Sequence, residues 1–535
     1  MTFVRRLRKK NAVYLYRVTT YREKGTGKVK QKTMYLGKEV TKEGKTMLLP
    51  PKHKRIGVKK VLSYGAPAVL YALAEHFKLP GIIDEAVGGY TRIADPGKKL
   101  VILAINKVLS NDGITGMDRW FSSTALPHIT DVSADAFTAK KVRSLYMIVS
   151  LENPDIIRMI EDRITKQIQK TYPADLSLLV YDLTDLTFYG KVNSLAKYGH
   201  AYHHNGYEKQ INLVLAVTQN GKLPVHHRIL PGNIVSVSTI RRFTHELKGL
   251  GIKNVVAVLD RGFYSQQNMK EIQSAECTVI GALPATLSIY EKALKRSKNI
   301  EHPDHYMKYN DEMFFIMQHE LDGKRLIVYH SPEKHTKDLA HLYASIDERK
   351  QYLKERENIL YDSKEDMTTE LTTICKPYQQ CFNITPIKTG KKWGFSYQLR
   401  PNVIQQQTQQ AGKTVLFTTS AIPYQDILKI YREKDVVEKA FCLMKQRGLL
   451  PVQATTEETT KANGMLAVLG YLLLALLRKT LEEKKKTDKK TFSLENTLTL
   501  LDEIKEVVNA DNSTTLTDIT KEQENILKKC GVVLK

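Results

Sequence analysis

Residues 177–190 read SLLVYDLTDLTFYG, an apolar run rich in β-branched and aromatic residues that carries Asp182 inside it. Such a run predicts a half-buried strand, and a carboxylate within it is costly unless it is paired or binds a cation. Two more strands follow, INLVLAVTQNG at 211–221 and LPVHHRILPGN at 223–233, and the Gln-Asn-Gly turn at 219–221 joins them as an antiparallel hairpin. Next come an amphipathic helix closed by glycine (STIRRFTHELKGLG, 238–251), a buried strand ending in Asp260 (NVVAVLDRG, 254–262), a second helix (265–275) and a last strand (CTVIGALP, 277–284). Asp260 therefore stands at the carboxyl end of a strand, where open α/β sheets place their ligands. Each aspartate alone reads equally well as a strand-end carboxylate held by backbone amides.

Three antiparallel strands followed by a helix-linked strand pair is the order of a ribonuclease H-like fold, so the expected class is α/β with a ribonuclease H-like core. The 535 residues allow several domains around it. The first part of the core is expected at 171–284. About 130 residues then intervene before the strand TVLFTTS, too many for a loop, so 285–412 is expected to be an inserted β-rich subdomain with a hairpin turning at Asp322-Gly323. The core resumes at 413–450 with a long helix from about Pro423 to Arg447, and a helical region fills 451–535. Ahead of the core, 63–170 reads as a bundle of short helices and 1–62 as a basic β-hairpin segment.

Charge is distributed unevenly. Of the net charge of +25, residues 1–60 supply +16, with 19 Lys and Arg against 3 Asp and Glu. A folded chain with 42% hydrophobic residues and such a segment fits a polyanionic partner, DNA first. Arg5, Arg6 and Arg8 are its leading candidate phosphate contacts, and the two N-terminal modules together read as a DNA-docking region. The alternative is a solubilising tail. Five scattered cysteines without C-x-x-C spacing give neither a disulfide framework nor a zinc finger. The longest apolar stretch, GMLAVLGYLLLALL at 464–477, is short for a bilayer and reads as a buried core helix, so no membrane partner is expected. The histidines of GHAYHH at 199–204 and His226-His227 lack zinc spacing and read as surface or phosphate-contacting groups.

On the long helix, Tyr431, Lys434, Glu438 and Lys445 fall within an arc of about 60° at helical periodicity. A ring, a carboxylate and two ammonium groups on one stripe suit a phosphodiester held beside a metal, although a solvated face with intrahelical ion pairs has the same pattern. The spacing Tyr431-x2-Lys434-x3-Glu438-x6-Lys445 resembles the Tyr-x2-Arg-x3-Glu-x6-Lys signature of DDE transposases from prokaryotic insertion sequences. YDLTDLTF resembles that family's first-aspartate strand, VLDRGFYS its second, and LPGNIVSVST its Pro-Gly-Asn segment. Two positions depart: Lys434 replaces arginine, losing the planar fork for phosphate, and Ser236 stands where many relatives have an acid.

The resemblance implies Asp182, Asp260 and Glu438 as an acidic triad holding two Mg²⁺ or Mn²⁺ ions about 3.5–4 Å apart. Tyr431, Lys434, Lys445 and Arg261 are then implied DNA contacts. It further implies cleavage at transposon ends, attack of the freed 3′-hydroxyl on target DNA, in some relatives through a DNA hairpin, and a homodimer on DNA in a prokaryotic cytoplasm. Two alternatives stay open: a ribonuclease H-like nuclease without strand transfer, and a domesticated DNA-binding protein that no longer cuts.

Overall fold

The computed structural model describes residues 2–9, 12–22, 29–42, 45–49, 57–151, 155–172, 178–188, 193–200, 207–218, 222–233, 256–259, 278–432, 435–446, 456–482 and 493–534, with single positions at 249, 264 and 269. The helices expected at 238–251 and 265–275 lie outside the described residues. The chain divides into two units. One holds Met1–Leu62 with Glu506–Thr517, and the other holds Ser63–Lys505 with Asp518–Lys535.

In the smaller unit, four strands form an antiparallel meander: β1 (Thr2–Lys9), β2 (Ala12–Arg22), β3 (Val29–Lys42) and β4 (Lys45–Leu49). The expected hairpin is its middle pair, and the basic N-terminus adds a full edge strand, Arg5 opposite Tyr16 and Arg8 opposite Val13. A second sheet joins β5 (Val58–Ser63) to two strands near the C-terminus, which we number β18 (Lys505–Asn509) and β19 (Thr514–Leu516) in chain order. Residues 505–516 are therefore strands rather than the helix expected across 451–535. Their alternation, Glu506-Val507-Val508-Asn509, is short and is completed only by pairing with a distant strand.

The larger unit is built on one mixed sheet. Its strands are β6 (Leu178–Thr187), β7 (Lys197–His200), β8 (Tyr207–Thr218), β9 (Pro224–Pro231), β10 (Val256–Leu259), β11 (Thr278–Ala282), β12 (Tyr306–Tyr309), β13 (Glu312–Leu321), β14 (Lys324–His330) and β17 (Lys413–Thr418). The order runs β12-β13-β14-β17-β11-β10-β6-β8-β7, with β9 also paired to β8. β6, β8 and β9 are antiparallel neighbours, whereas β10 and β11 run parallel to β6.

Strand alternation gives this sheet two apolar faces. Leu179, Tyr181, Val214, Ala216, Ala257 and Leu259 join the core shared with the N-terminal helices. Val180, Leu213, Leu215, Val217, Val256 and Val258 join a second core beneath the helices Tyr424–Arg432 and Asp435–Gln446. A sheet covered on both faces reads as continuous apolar runs, which is why its strands are legible in the sequence.

Part of the expected insertion belongs to this sheet. β12, β13 and β14 extend it past β17, Leu326 facing Phe417 and Val328 facing Val415, because the middle of β14, Leu326 to Tyr329, is apolar and buried and needs a partner strand on both edges. The separate core of the insertion is formed by helices Pro332–Glu355 and Lys364–Cys375 and the hairpin β15 (Phe382–Thr389) and β16 (Lys392–Leu399), with side chains such as Leu342, Met367, Phe382 and Phe395 inside it and the helix Pro401–Gln410 packed against it.

The apolar stretch at 464–477 lies within a helix of 26 residues, Glu457–Glu482, since polar residues at both ends continue the turn. By length and composition alone it could cross a bilayer, yet 83% of its apolar window is buried. It packs on the helices Gly65–His76 and Pro96–Leu109 and crosses β9, where Gly464 lets Ile229 approach.

Candidate active site

The helix Asp435–Gln446 is docked by Val437, Ala440, Phe441 and Met444, all at most 5% exposed. These lie against β6 and β8 in the second core. The burial stripe leaves Glu438 and Lys445 on the exposed flank, seven residues and so about 20° apart around the axis. The Lys445 ammonium donates to Thr184 Oγ1 at 3.1 Å. Thr184 is buried in β6, two residues beyond Asp182, so this bond brings the helix that carries Glu438 to the strand that carries Asp182.

Asp182 is opposite Leu215 of β8 in the ladder, and its side-chain surroundings lie outside the described residues. Asp260, Arg261 and Lys434 lie outside them as well, as does Ser236. The strand leading to Asp260 is described: β10 runs parallel to β6 with Val258 beside Val180.

Tyr431 lies in the helix Tyr424–Arg432, half-buried against the second core, with its ring 6.4 Å from that of Tyr329. The ring thus has a packing role on at least one side. Arg432 next to it donates to Glu312 at 2.7 Å and lies 5.2 Å from the centre of the Phe314 ring, which anchors this helix to β13. Arg5, Arg6 and Arg8 are exposed on β1, where Arg6 pairs with Glu39 at 2.9 Å and Arg5 donates to Gln31 at 3.3 Å.

Two features are not evident from the sequence. The first is the support of Pro231-Gly232. Gln210 Nε2 donates to the Gly232 carbonyl at 3.0 Å, Asn212 Nδ2 lies 3.4 Å from the same oxygen, and the Gly232 amide donates to Leu195 O. A β-carbon on Gly232 would stand 2.0 Å from Gln210 O, so only glycine fits. The buried polar residues at 210 and 212, at the start of the apolar run of β8, are the available signal.

The second is a correction. His226 and His227 are not surface groups: they are 3% and 1% exposed and surround Glu161, itself 4% exposed. His227 places its backbone N–H and Nδ1 at 2.7 and 2.6 Å from Glu161 Oε1, Arg228 donates to Oε2 at 2.9 Å, and His226 Nδ1 is 3.2 Å away. Burial pushes the Glu161 carboxyl up, but His226, Arg228 and His227 together outweigh it and hold the group well below the ordinary carboxylate range. Two adjacent polar residues break strand alternation and so read as exposed, and the carboxylate that makes their burial possible comes from a helix 65 residues earlier, Ile156–Thr171.

The donor set expected for metal, Asp182, Asp260 and Glu438, offers only carboxylate oxygens, which suits a hard divalent cation such as Mg²⁺ or Mn²⁺. Among the described residues no group of three or more His, Cys, Asp or Glu gathers into a metal site.

Comparison with known proteins gives one family. A family model described as the transposase DDE domain matches residues 173–473, from just before β6 into the buried Glu457–Glu482 helix. Among solved structures, the chain is similar to the piggyBac transposase in its synaptic complex with hairpin DNA, at 11% identity over 82% of this chain and 79% of that one, with a TM-score of 0.38. No curated protein matches.

Proposed function

The chain belongs to the transposase DDE-domain family, and from that premise we propose that it is an insertion-sequence transposase that cuts DNA at element ends and joins the 3′-hydroxyl to target DNA. The observation that carries this reading is the Lys445–Thr184 bond, which ties the Glu438 helix to the Asp182 strand. The strand order β9-β8-β6-β10-β11, three antiparallel and two further parallel, supports a ribonuclease H-like core. Positions two apart on a strand share a face. Two residues beyond the paired Val180 and Val258 are Asp182 and Asp260, which supports them as partners in one site.

In this reading Asp182, Asp260 and Glu438 hold two Mg²⁺ or Mn²⁺ ions. Such ions, when bound, neutralise charge at the scissile phosphate and acidify water. Lys445, held at Thr184, presents its positive charge to a phosphate oxygen, and Lys434 and Arg261 add to it. Tyr431 combines packing against Tyr329 with contact to sugar or base. Gln210 and Asn212 fix the Pro231-Gly232 turn and with it the start of the segment that leads toward β10. The modules at 1–62 and 63–170 recognise DNA, 332–410 is a separately cored part of the insertion, and two copies act together because two ends must be cut and joined in the cytoplasm of a prokaryote.

The test is cleavage of a labelled duplex carrying the element's terminal sequence, with Mg²⁺ or Mn²⁺, for the wild type, Asp260→Ala and Glu438→Ala. We expect nicking that leaves a 3′-hydroxyl and later joins to target, and a loss of at least about a hundredfold in both variants with DNA binding retained. Cleavage without joining would leave a nuclease, and binding without cleavage by the wild type would leave a DNA-binding protein.

A further inference from the structure

The N-terminal meander has two faces of different chemistry. Register and alternation put Phe3, Arg5, Tyr14, Tyr16, Val18 and Tyr35 on one side, and Val4, Arg6, Arg8, Arg17, Lys32 and Met34 on the other. On the first side the Tyr35 ring lies 5.2 Å from Tyr16 and 6.1 Å from Tyr14, centre to centre, with the planes tilted by 46° and 39°. All three tyrosines are half-buried, Phe3 is 42% exposed, and the Arg5 guanidinium lies 5.8 Å from the Phe3 ring centre. Val18 on this face is fully buried, yet an ordinary outer face of a sheet in water carries polar side chains, so four aromatic side chains that each keep part of their surface in solvent call for an occupant.

We propose that this aromatic face is a stacking platform for unpaired bases, so that the unit binds single-stranded DNA on one side and duplex phosphates on the other. A duplex closes the π-faces of its bases against their neighbours and offers only edges and phosphates, to which the opposite face, with Arg8, Arg17 and Lys32 exposed, is matched. Unpaired bases offer their π-faces, and tyrosine rings accept any base by stacking. Arg5 stands within the platform as a charge for the strand's phosphates. The ring centres are too close for a base to slot between them, so bases lie on the surface of the cluster, which makes the contact tolerant of sequence. This inference rests on the reading that the basic segment binds DNA.

The experiment uses the full chain and two fluorescent probes, an oligo-dT of about 15 nucleotides and a duplex of equal length, followed by anisotropy. Tyr16→Ala with Tyr35→Ala is expected to weaken oligo-dT binding at least about tenfold and duplex binding less than about threefold, whereas Tyr16→Phe with Tyr35→Phe keeps both. Arg8→Ala with Arg17→Ala is expected to weaken duplex binding more than oligo-dT binding. Should the alanine variant fail to fold by circular dichroism, ultraviolet crosslinking of wild type to iodouracil-substituted oligonucleotide decides: crosslinks at Tyr14, Tyr16 or Tyr35 support the platform, and crosslinks confined to other residues overturn it. If the tyrosine changes leave oligo-dT binding intact, or weaken both probes equally, the platform is wrong. If the arginine changes still weaken the duplex in that case, the DNA-binding role of the segment survives, and if neither pair has any effect, that role falls too.

Discussion

The two large sheets place charge in opposite ways. On β1 of the N-terminal meander every side chain is exposed, and its cations, Arg5, Arg6, Arg8 and Lys9, are interspersed with the equally exposed Phe3, Val4 and Leu7. In the central sheet both faces are covered, and the carboxylate at its β9 strand is buried: Glu161 is enclosed by the buried His226 and His227 and pairs with Arg228, which is 18% exposed. An exposed cation is nearly neutral for stability and available to a partner, whereas a buried ion is committed to its partner and costly to strand. The same residue type therefore faces solvent in one unit and serves architecture in the other.

The sharpest way to break this contrast is Glu161→Gln. It removes the buried carboxylate that Arg228 and the two histidines share and is expected to cost about 3–5 kcal/mol, read by urea unfolding. Because the Glu161 carboxyl is depressed in the folded state, its contribution is fully present above the unfolded value of about 4.3 and is lost as pH falls through the folded value. The lead of wild type over the variant should thus hold from about pH 7 to about 5 and shrink below about 4. An unchanged lead at about pH 3 would mean that packing rather than charge holds this site.

Lys445→Met sits between the extremes, since Lys445 is exposed yet tied to a buried threonine. We expect cleavage to fall about ten- to hundredfold through loss of one charge-assisted contact while stability changes by less than about 1 kcal/mol. A stability loss as large as that of Glu161→Gln would assign Lys445 to architecture. The smallest effect is expected for Arg8→Ala: stability within about 0.5 kcal/mol of wild type, and the slope of log K against log salt for duplex binding reduced by about 1. A slope that does not move would remove Arg8 from the DNA contact.

The sequence alone carried the strands of the central sheet apart from the short polar β7 and β12, because burial on both faces turns the others into apolar runs, as in LLVYDLTDL and INLVLAV. It also carried the spacing of Tyr431, Glu438 and Lys445, which depends only on positions along the chain. It did not carry the pairings that close over long separations. β5 with the strands at 505–516, the hairpin at 312–330 against β17, and Glu161 beneath His226 and His227 each join segments whose local patterns are polar, short or ambiguous. Local propensity is a property of neighbours in sequence, so it determined which segments become strands and helices. Only the tertiary structure decided where the sheet ends, which histidines are buried and which lysine reaches the Asp182 strand, because those depend on partners that arrive from elsewhere in the chain and compensate the cost of burying a polar group.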